Sequence, residues 1–201
     1  MFQDRILKIL KIAKWLPTPR LQKEFWRHLL ITFVWLVLTT LLRWSWHWNL
    51  ISLWLGGLLG TFLLDIDHLL YVLAIYPHEL TSMRVKRLID QRQFKDALVL
   101  LADTRGERVK LPFHNALFQP IFYVFCFFVL TSTGSLFGAG LVMTMALHLL
   151  MDEFELLLAG RDEYLRKWLF WQVKGEVSLQ NQKFFVFLML LVFLGLNLLL
   201  I

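Results

Sequence analysis

Residues 63–71 read LLDIDHLLY and lie inside a long apolar stretch of the chain. Asp65, Asp67 and His68 are the ionisable residues of this motif. Ionisable side chains within an apolar span cost roughly 2–4 kcal/mol each unless something compensates them. Carboxylate and imidazole groups are ligands for zinc, manganese or iron, so a divalent metal is one possible compensation. The alternative is that these three residues only cap the span where it meets water.

The composition indicates a membrane protein. The chain has 201 residues, of which 58% are hydrophobic, and several uncharged runs approach or exceed about 20 residues, the length that spans a bilayer. A soluble domain of this size has too little interior to bury so much apolar surface. We therefore expect an all-α integral membrane protein. The net charge of +6 follows from membrane topology and gives no reason to expect a nucleic-acid partner.

The apolar runs predict about five transmembrane helices in one domain, residues 26–201, behind an amphipathic N-terminal segment, residues 1–25. The spans are expected at residues 26–46, 48–76, 114–130, 136–158 and 184–201. In the second span, Gly56, Gly57 and Gly60 have the small-residue spacing that allows close helix packing. The cytoplasmic loop 78–112 is expected to contain an amphipathic helix near residues 84–102.

Lysine and arginine residues predict the orientation. Of the 21, seven lie in residues 1–27, eight in residues 78–112 and five in residues 159–183, which leaves Arg43 alone. With five spans, the three basic segments fall on one side of the membrane, and the positive-inside rule makes that side the cytoplasm. We therefore expect a multi-pass protein of the cytoplasmic membrane, with its N-terminus inside and its C-terminus outside.

Histidine and acidic residues recur at the cytoplasmic ends of four predicted spans. In chain order they are His28, the motif at residues 65–68, His114, and the group His148, Asp152 and Glu155. The last three share one helix face because of their spacing, whereas Glu153 points elsewhere. Asp65 and His68 also share a face, with Asp67 roughly opposite them in a regular helix.

We predict that these residues bind one or two divalent transition metal ions, with zinc as the first expectation and manganese or iron as alternatives. The predicted ligands are Asp65, His68, His148, Asp152, His28 and Glu155. The predicted catalytic residues are Asp67 and His114, one of which acts as general base or orients the histidine that does. Simpler interpretations stay open: His28 and His114 as interfacial histidines, and His148 with Asp152 as a structural hydrogen bond.

Three motifs, at residues 65–68, 113–115 and 147–152, together resemble the signature of a family of bacterial inner-membrane, metal-dependent hydrolases that includes a LexA-regulated protein. The family pattern is an early His, Pro-Asp-x-Asp-His, His-Arg-Gly-x-Thr-His-Ser and His-x-x-x-Asp, and His28 matches the early histidine. The departures from this pattern include Leu64, Val109, Lys110 and Asn115. The resemblance covers roughly residues 26–158 and implies a metal site and a hydrolytic activity.

Two functions are compatible with these patterns. The first is metal-dependent hydrolysis at the cytoplasmic membrane interface, acting on a lipid or on a lipid-linked phosphate or ester. The second is a non-catalytic role, in which a metal or ion pairs hold the helices together. Membrane lipids are the expected partners in both cases, and the sequence leaves the oligomeric state open.

Overall fold

A computed structural model describes residues 19–44 and 47–201, and this part of the chain is all-helical. In chain order the helices are α1 (Pro19–Arg43), α2 (Leu50–Leu63), α3 (Ile66–Leu70), a π-helical turn (Tyr71–Ile75), α4 (Leu80–Asp90), α5 (Phe94–Asp103), a 3-10 turn (Arg105–Glu107), α6 (Phe118–Ser132), α7 (Leu136–Leu158), α8 (Asp162–Leu169) and α9 (Leu179–Leu200). The predicted amphipathic helix of the N-terminal segment lies outside the described residues, apart from the start of α1.

Three helical stretches of the described chain are long and apolar enough to cross a membrane: Leu21–Arg43, Leu50–Ile75 and Leu179–Leu200. They indicate a membrane protein. The fourth apolar helix, α6, has only 15 residues, which is shorter than the usual span of about 20. Pro120 is the third residue of α6 and lies in its first turn, where the missing N–H group of proline removes no helical hydrogen bond.

The fold divides into two compact units. Among the described residues, the hairpin unit comprises residues 19–28 together with His68–Glu107, and the bundle unit comprises Leu29–Asp67 together with Arg108–Ile201.

The hairpin unit is built on α4 and α5, which pack against each other. The pattern of apolar residues predicts one helix here, but the chain breaks between Asp90 and Phe94 because Arg92 adopts a left-handed backbone conformation with φ of 59°. Val85 and Ala97 are buried in this unit. The Tyr71 hydroxyl group lies 3.0 Å from each carboxylate oxygen of Glu79, which fixes the start of α4.

The core of the bundle unit is the contact between α2 and α7. A Cβ atom added at Gly56 would overlap the carbonyl oxygen of Phe137, and one added at Gly60 would overlap that of Leu141. From the other helix, a Cβ atom at Gly140 would overlap the carbonyl oxygen of Leu53. The close helix packing predicted from the glycine spacing is therefore confirmed, and backbone meets backbone along this contact.

Polar side chains join α1 to its neighbours in the bundle unit. Thr61 Oγ1 donates a hydrogen bond to Thr32 Oγ1 over 3.0 Å, and Trp54 Nε1 donates to Thr40 Oγ1 over 3.1 Å. Towards α9, Trp35 Nε1 donates to Asn197 Oδ1 over 2.8 Å. Hydrogen bonds between helices are common in membrane proteins, where apolar burial provides little driving force for association.

The glycine contact gives a test of the packing. Gly140→Ala should lower the free energy of unfolding by about 1–3 kcal/mol, because the backbone of α2 must move away from the new methyl group. Gly195→Ala in α9 is the matched control, since a Cβ atom there meets no atom within 4 Å. Thermal unfolding of both variants in detergent compares them, and equal melting temperatures would contradict the close contact.

Candidate metal centre

The centre starts from a break between α2 and α3. The N–H group of Asp65 bonds to the carbonyl oxygen of Phe62 over 3.2 Å, not to that of Thr61 one residue earlier, as a regular helix requires. The carbonyl oxygen of Thr61 is thereby released. It accepts a hydrogen bond from Nδ1 of His148 over 2.6 Å, in the buried contact between α2 and α7.

This bond determines the tautomer of His148. A backbone carbonyl group can only accept, so the proton of the neutral imidazole lies on Nδ1 and the lone pair lies on Nε2. Nε2 of His148 lies 3.6 Å from Oδ2 of Asp152, one turn further along α7, and 3.8 Å from Oδ1 of Asp65. The imidazole therefore presents a lone pair to two carboxylates.

His114 reaches the same place from the segment that precedes α6. Its Nδ1 atom lies 2.6 Å from Oδ2 of Asp67, and both side chains are fully buried. Its Nε2 atom lies 3.8 Å from Oδ2 of Asp152. With the Asp67 carboxylate as acceptor, Nδ1 of His114 is the protonated nitrogen, and Nε2 is again turned towards a carboxylate.

The donor set fits a metal ion. One atom each from Asp65, His114 and His148 lie within 4.8 Å of one another, so these three groups could hold an ion. The nitrogen–oxygen separations of 3.6–3.8 Å around Asp152 and Asp65 are too long for hydrogen bonds. They are close to the roughly 3.3 Å between neighbouring ligand atoms in a tetrahedral zinc shell. Imidazole ligands whose second nitrogen bonds to a carboxylate or a carbonyl oxygen are typical of metal sites.

Solvent reaches this group at one member. The Asp65 side chain is 36% exposed, whereas those of His148, Asp152 and His114 are 1%, 8% and 0% exposed. A molecule that approaches the centre through the bundle unit would meet Asp65 first.

Asn115 holds the segment that presents His114. Its Nδ2 atom donates to the carbonyl oxygens of Leu111 and Pro112 over 3.1 and 2.7 Å. Its Oδ1 atom accepts from the N–H groups of Leu117 and Phe118 over 3.1 and 2.9 Å, at the start of α6. All these bonds are local, so the amide side chain of Asn115 connects the residues on both sides of His114 to the N-terminal end of α6.

Of the residues predicted from the sequence, the bundle unit brings together Asp65, Asp67, His114, His148 and Asp152. Glu155 has an exposed side chain and does not belong to this group. His28 and His68 fall in the hairpin unit, where His28 Nδ1 lies 2.9 Å from the carbonyl oxygen of Glu24 and His68 is buried in α3.

Two contributors to the centre, and one buried carboxyl group beside α6, escape sequence reasoning. The carbonyl oxygen of Thr61 belongs to the backbone, so no residue type marks it as a hydrogen-bond acceptor. Only Asp65 and Asp67 mark the helix end that releases it. Trp168 of α8 lies against the His114 ring, with the ring centroids 5.5 Å apart. From the sequence alone, Trp168 is one apolar residue of a short amphipathic helix. Glu153 is fully buried, and its carboxyl group has Gln119 of α6 as a polar neighbour.

Comparisons of the chain with known protein families, with curated proteins and with solved structures find no match.

The first test of the centre is metal content. His148→Ala should lower metal affinity by more than the roughly 10- to 100-fold that loss of an outer-shell partner costs, because a ligand itself is removed. Glu155→Ala is the matched control on the same helix and should bind metal like the unchanged protein. The measurement is the metal stoichiometry of the purified proteins, determined by mass spectrometry. Equal occupancy in both variants would exclude His148 as a ligand.

Proposed function

We propose that this chain is a metal-dependent hydrolase of the cytoplasmic membrane, as its resemblance to the bacterial membrane-bound hydrolases implies. The observation behind the proposal is the buried pair of Asp67 and His114, with 2.6 Å between Oδ2 and Nδ1, next to two further carboxylates and a second histidine. A buried histidine oriented by a carboxylate, beside a group of metal ligands, is an arrangement suited to proton transfer.

The proposed ligands are Asp65, His148 and Asp152. Three protein ligands leave one position of a tetrahedral shell open, as in catalytic zinc sites. A divalent metal held there would supply Lewis acidity for activating water and polarising the scissile group. The exposed edge of Asp65 is the proposed entrance for substrate.

His114 is the proposed general base. Its Nε2 atom has the lone pair and accepts the proton from the attacking water. Asp67 keeps the proton of the resting imidazole on Nδ1 and stabilises the imidazolium that forms. The other carboxylate oxygen of Asp67, Oδ1, has no hydrogen-bond partner among the described residues. Within this part of the chain, His114 is therefore the polar group that pairs with the Asp67 carboxylate.

The proposed substrates are lipids or lipid-linked phosphates or esters. This proposal is supported by the apolar helices that supply the centre, because α2 belongs to a stretch that is long enough to cross a membrane. A substrate anchored in the bilayer would reach such a centre without leaving the membrane.

A second function is favoured by one observation. His114 also belongs, with Asp65 and His148, to the group of side chains that could hold an ion, and Oδ2 of Asp152 lies 3.8 Å from its Nε2 atom and could supply a fourth ligand. A closed shell of four protein ligands is typical of structural zinc. In that case the ion holds α2, α7 and the segment before α6 together, without catalysis.

The role of His114 separates the two functions. If His114 is the base, His114→Gln should keep the metal and the melting temperature and lower turnover by about 10²- to 10⁴-fold, the usual contribution of general base catalysis. If His114 is a ligand of a structural ion, the same variant should lose both metal and thermal stability. Metal stoichiometry, thermal unfolding and hydrolysis of a panel of phospholipids and lipid phosphates are measured on one preparation. Retained metal with unchanged turnover would contradict both roles.

The proposed topology has five spans, a cytoplasmic N-terminus and an external C-terminus, supported by the distribution of the 21 lysine and arginine residues. Alkaline phosphatase, which folds only outside the cytoplasm, should be active when fused after Ile201 and inactive when inserted in the loop 78–112. The reverse pattern would show that the number of spans is even or that the orientation is inverted.

A further inference from the structure

The α4–α5 hairpin exposes large apolar side chains on both of its helices. Leu80 and Met83 of α4 are 62% and 50% exposed, and Phe94 and Leu98 of α5 are 59% and 58% exposed. Phe94 and Leu98 are four residues apart and share a face of α5. Exposed apolar side chains that are grouped in this way usually mark a surface that contacts something else.

Basic side chains accompany these apolar ones. Arg84 and Arg87 follow Leu80 at the spacing of one helix face, so cations and apolar side chains alternate on the exposed side of α4. Lys86, Arg92 and Lys95 are exposed as well. Residues 80–103 contain five basic and three acidic residues, which gives them a net charge of +2.

The position of the hairpin in the chain points to what covers this surface. Helix α4 begins at Leu80, only five residues after Ile75, where the candidate span Leu50–Ile75 ends. Five extended residues reach at most about 18 Å. The start of α4 therefore lies within about 18 Å of the end of a span. This distance is comparable to the thickness of a headgroup region and its adjoining water.

We propose that the α4–α5 hairpin docks onto the headgroup layer of anionic phospholipids. Leu80, Met83, Phe94 and Leu98 enter the boundary between headgroups and acyl chains, and the basic side chains around them contact the phosphates. This mixture of apolar and basic side chains is typical of helices that lie in the membrane surface. Each basic residue near an anionic surface strengthens the attraction by about fivefold in the equilibrium constant. The inference is independent of the metal centre and of the proposed hydrolysis.

The experiment measures the depth of the hairpin in the full-length protein. Cys126 is buried and is replaced by alanine, and a single cysteine is placed at Leu98, or at Asp90 as the reference for a polar exposed position. Each is labelled with a nitroxide. The protein is reconstituted into vesicles of phosphatidylcholine alone, or of equal parts phosphatidylcholine and phosphatidylglycerol. Collision rates with lipid-soluble oxygen and with a water-soluble nickel chelate give the depth of each label.

In the anionic vesicles the label at position 98 should collide more with oxygen than with nickel, and the label at position 90 should do the reverse. Combining Arg84→Gln, Lys86→Gln and Arg87→Gln removes three charges and should return the label at position 98 to water, because it weakens the attraction by about 100-fold. The matched control removes three exposed lysines elsewhere, at Lys167, Lys174 and Lys183, and should leave the label in the lipid. Unchanged metal content and melting temperature verify that both triple variants are folded.

Three results would overturn the proposal. A label at position 98 that is open to nickel in both kinds of vesicle would show that the surface faces water. A label shielded from oxygen and nickel alike would show that protein covers it, either another part of the chain or a second copy. Equal depth in the two lipid compositions would also overturn it, because the phosphates would then have no role.

Discussion

The backbone contact between α2 and α7 is the constraint on which the centre depends. Glycines at positions 56, 60 and 140 let the two helices meet without side chains between them. Only at such close range can the ring of His148, attached to one helix, reach the carbonyl oxygen of Thr61 on the other. The break after Leu63 contributes as well, because it frees that carbonyl oxygen from its helical bond to the N–H group of Asp65. Packing and chemistry are therefore two results of the same small residues, and the imidazole is oriented by the backbone before any ion is present.

The apolar composition and the charge distribution predicted an all-helical membrane protein, and three of the described stretches are long enough to span. The glycine spacing predicted the close packing correctly, because small residues four apart act locally and need no tertiary information. The single helix expected near residues 84–102 was wrong. Residues 90–93 are all polar, and the side chain of Arg92 gives no indication of its left-handed backbone conformation. The amphipathic helix expected at the N-terminus stays a prediction, since it lies outside the described residues.

The centre could be foreseen in its residue types more than in its roles. His148 and Asp152 share a face of α7, and Asp65 has the same kind of spacing to His68, so the sequence predicted all three as ligands. The partnership of Asp67 and His114 joins positions 47 residues apart, and no helical period encodes it. The expectation that Asp67 points away from Asp65 assumed a regular helix, whereas α2 ends between Leu63 and Asp65. A backbone acceptor such as Thr61 is invisible to residue-type reasoning. Pairings between helices depend on the tertiary structure, so the sequence alone does not predict them.

The wide separation of the contributing segments has a consequence for assembly of the protein during synthesis. The bond from His148 to Thr61 closes a loop of 87 residues, and the entropic cost of closing such a loop must be met before the contact stabilises anything. Until α7 has been made, Asp65 and Asp67 sit in an apolar segment without His148 and Asp152. The nascent chain therefore passes through a stage in which Asp65 lies in an apolar segment before the histidine that faces it, His148, has been made. Fragments that end before Leu136 would stay at that stage, and cellular quality control would meet them with Asp65 in an apolar helix and no His148 beside it.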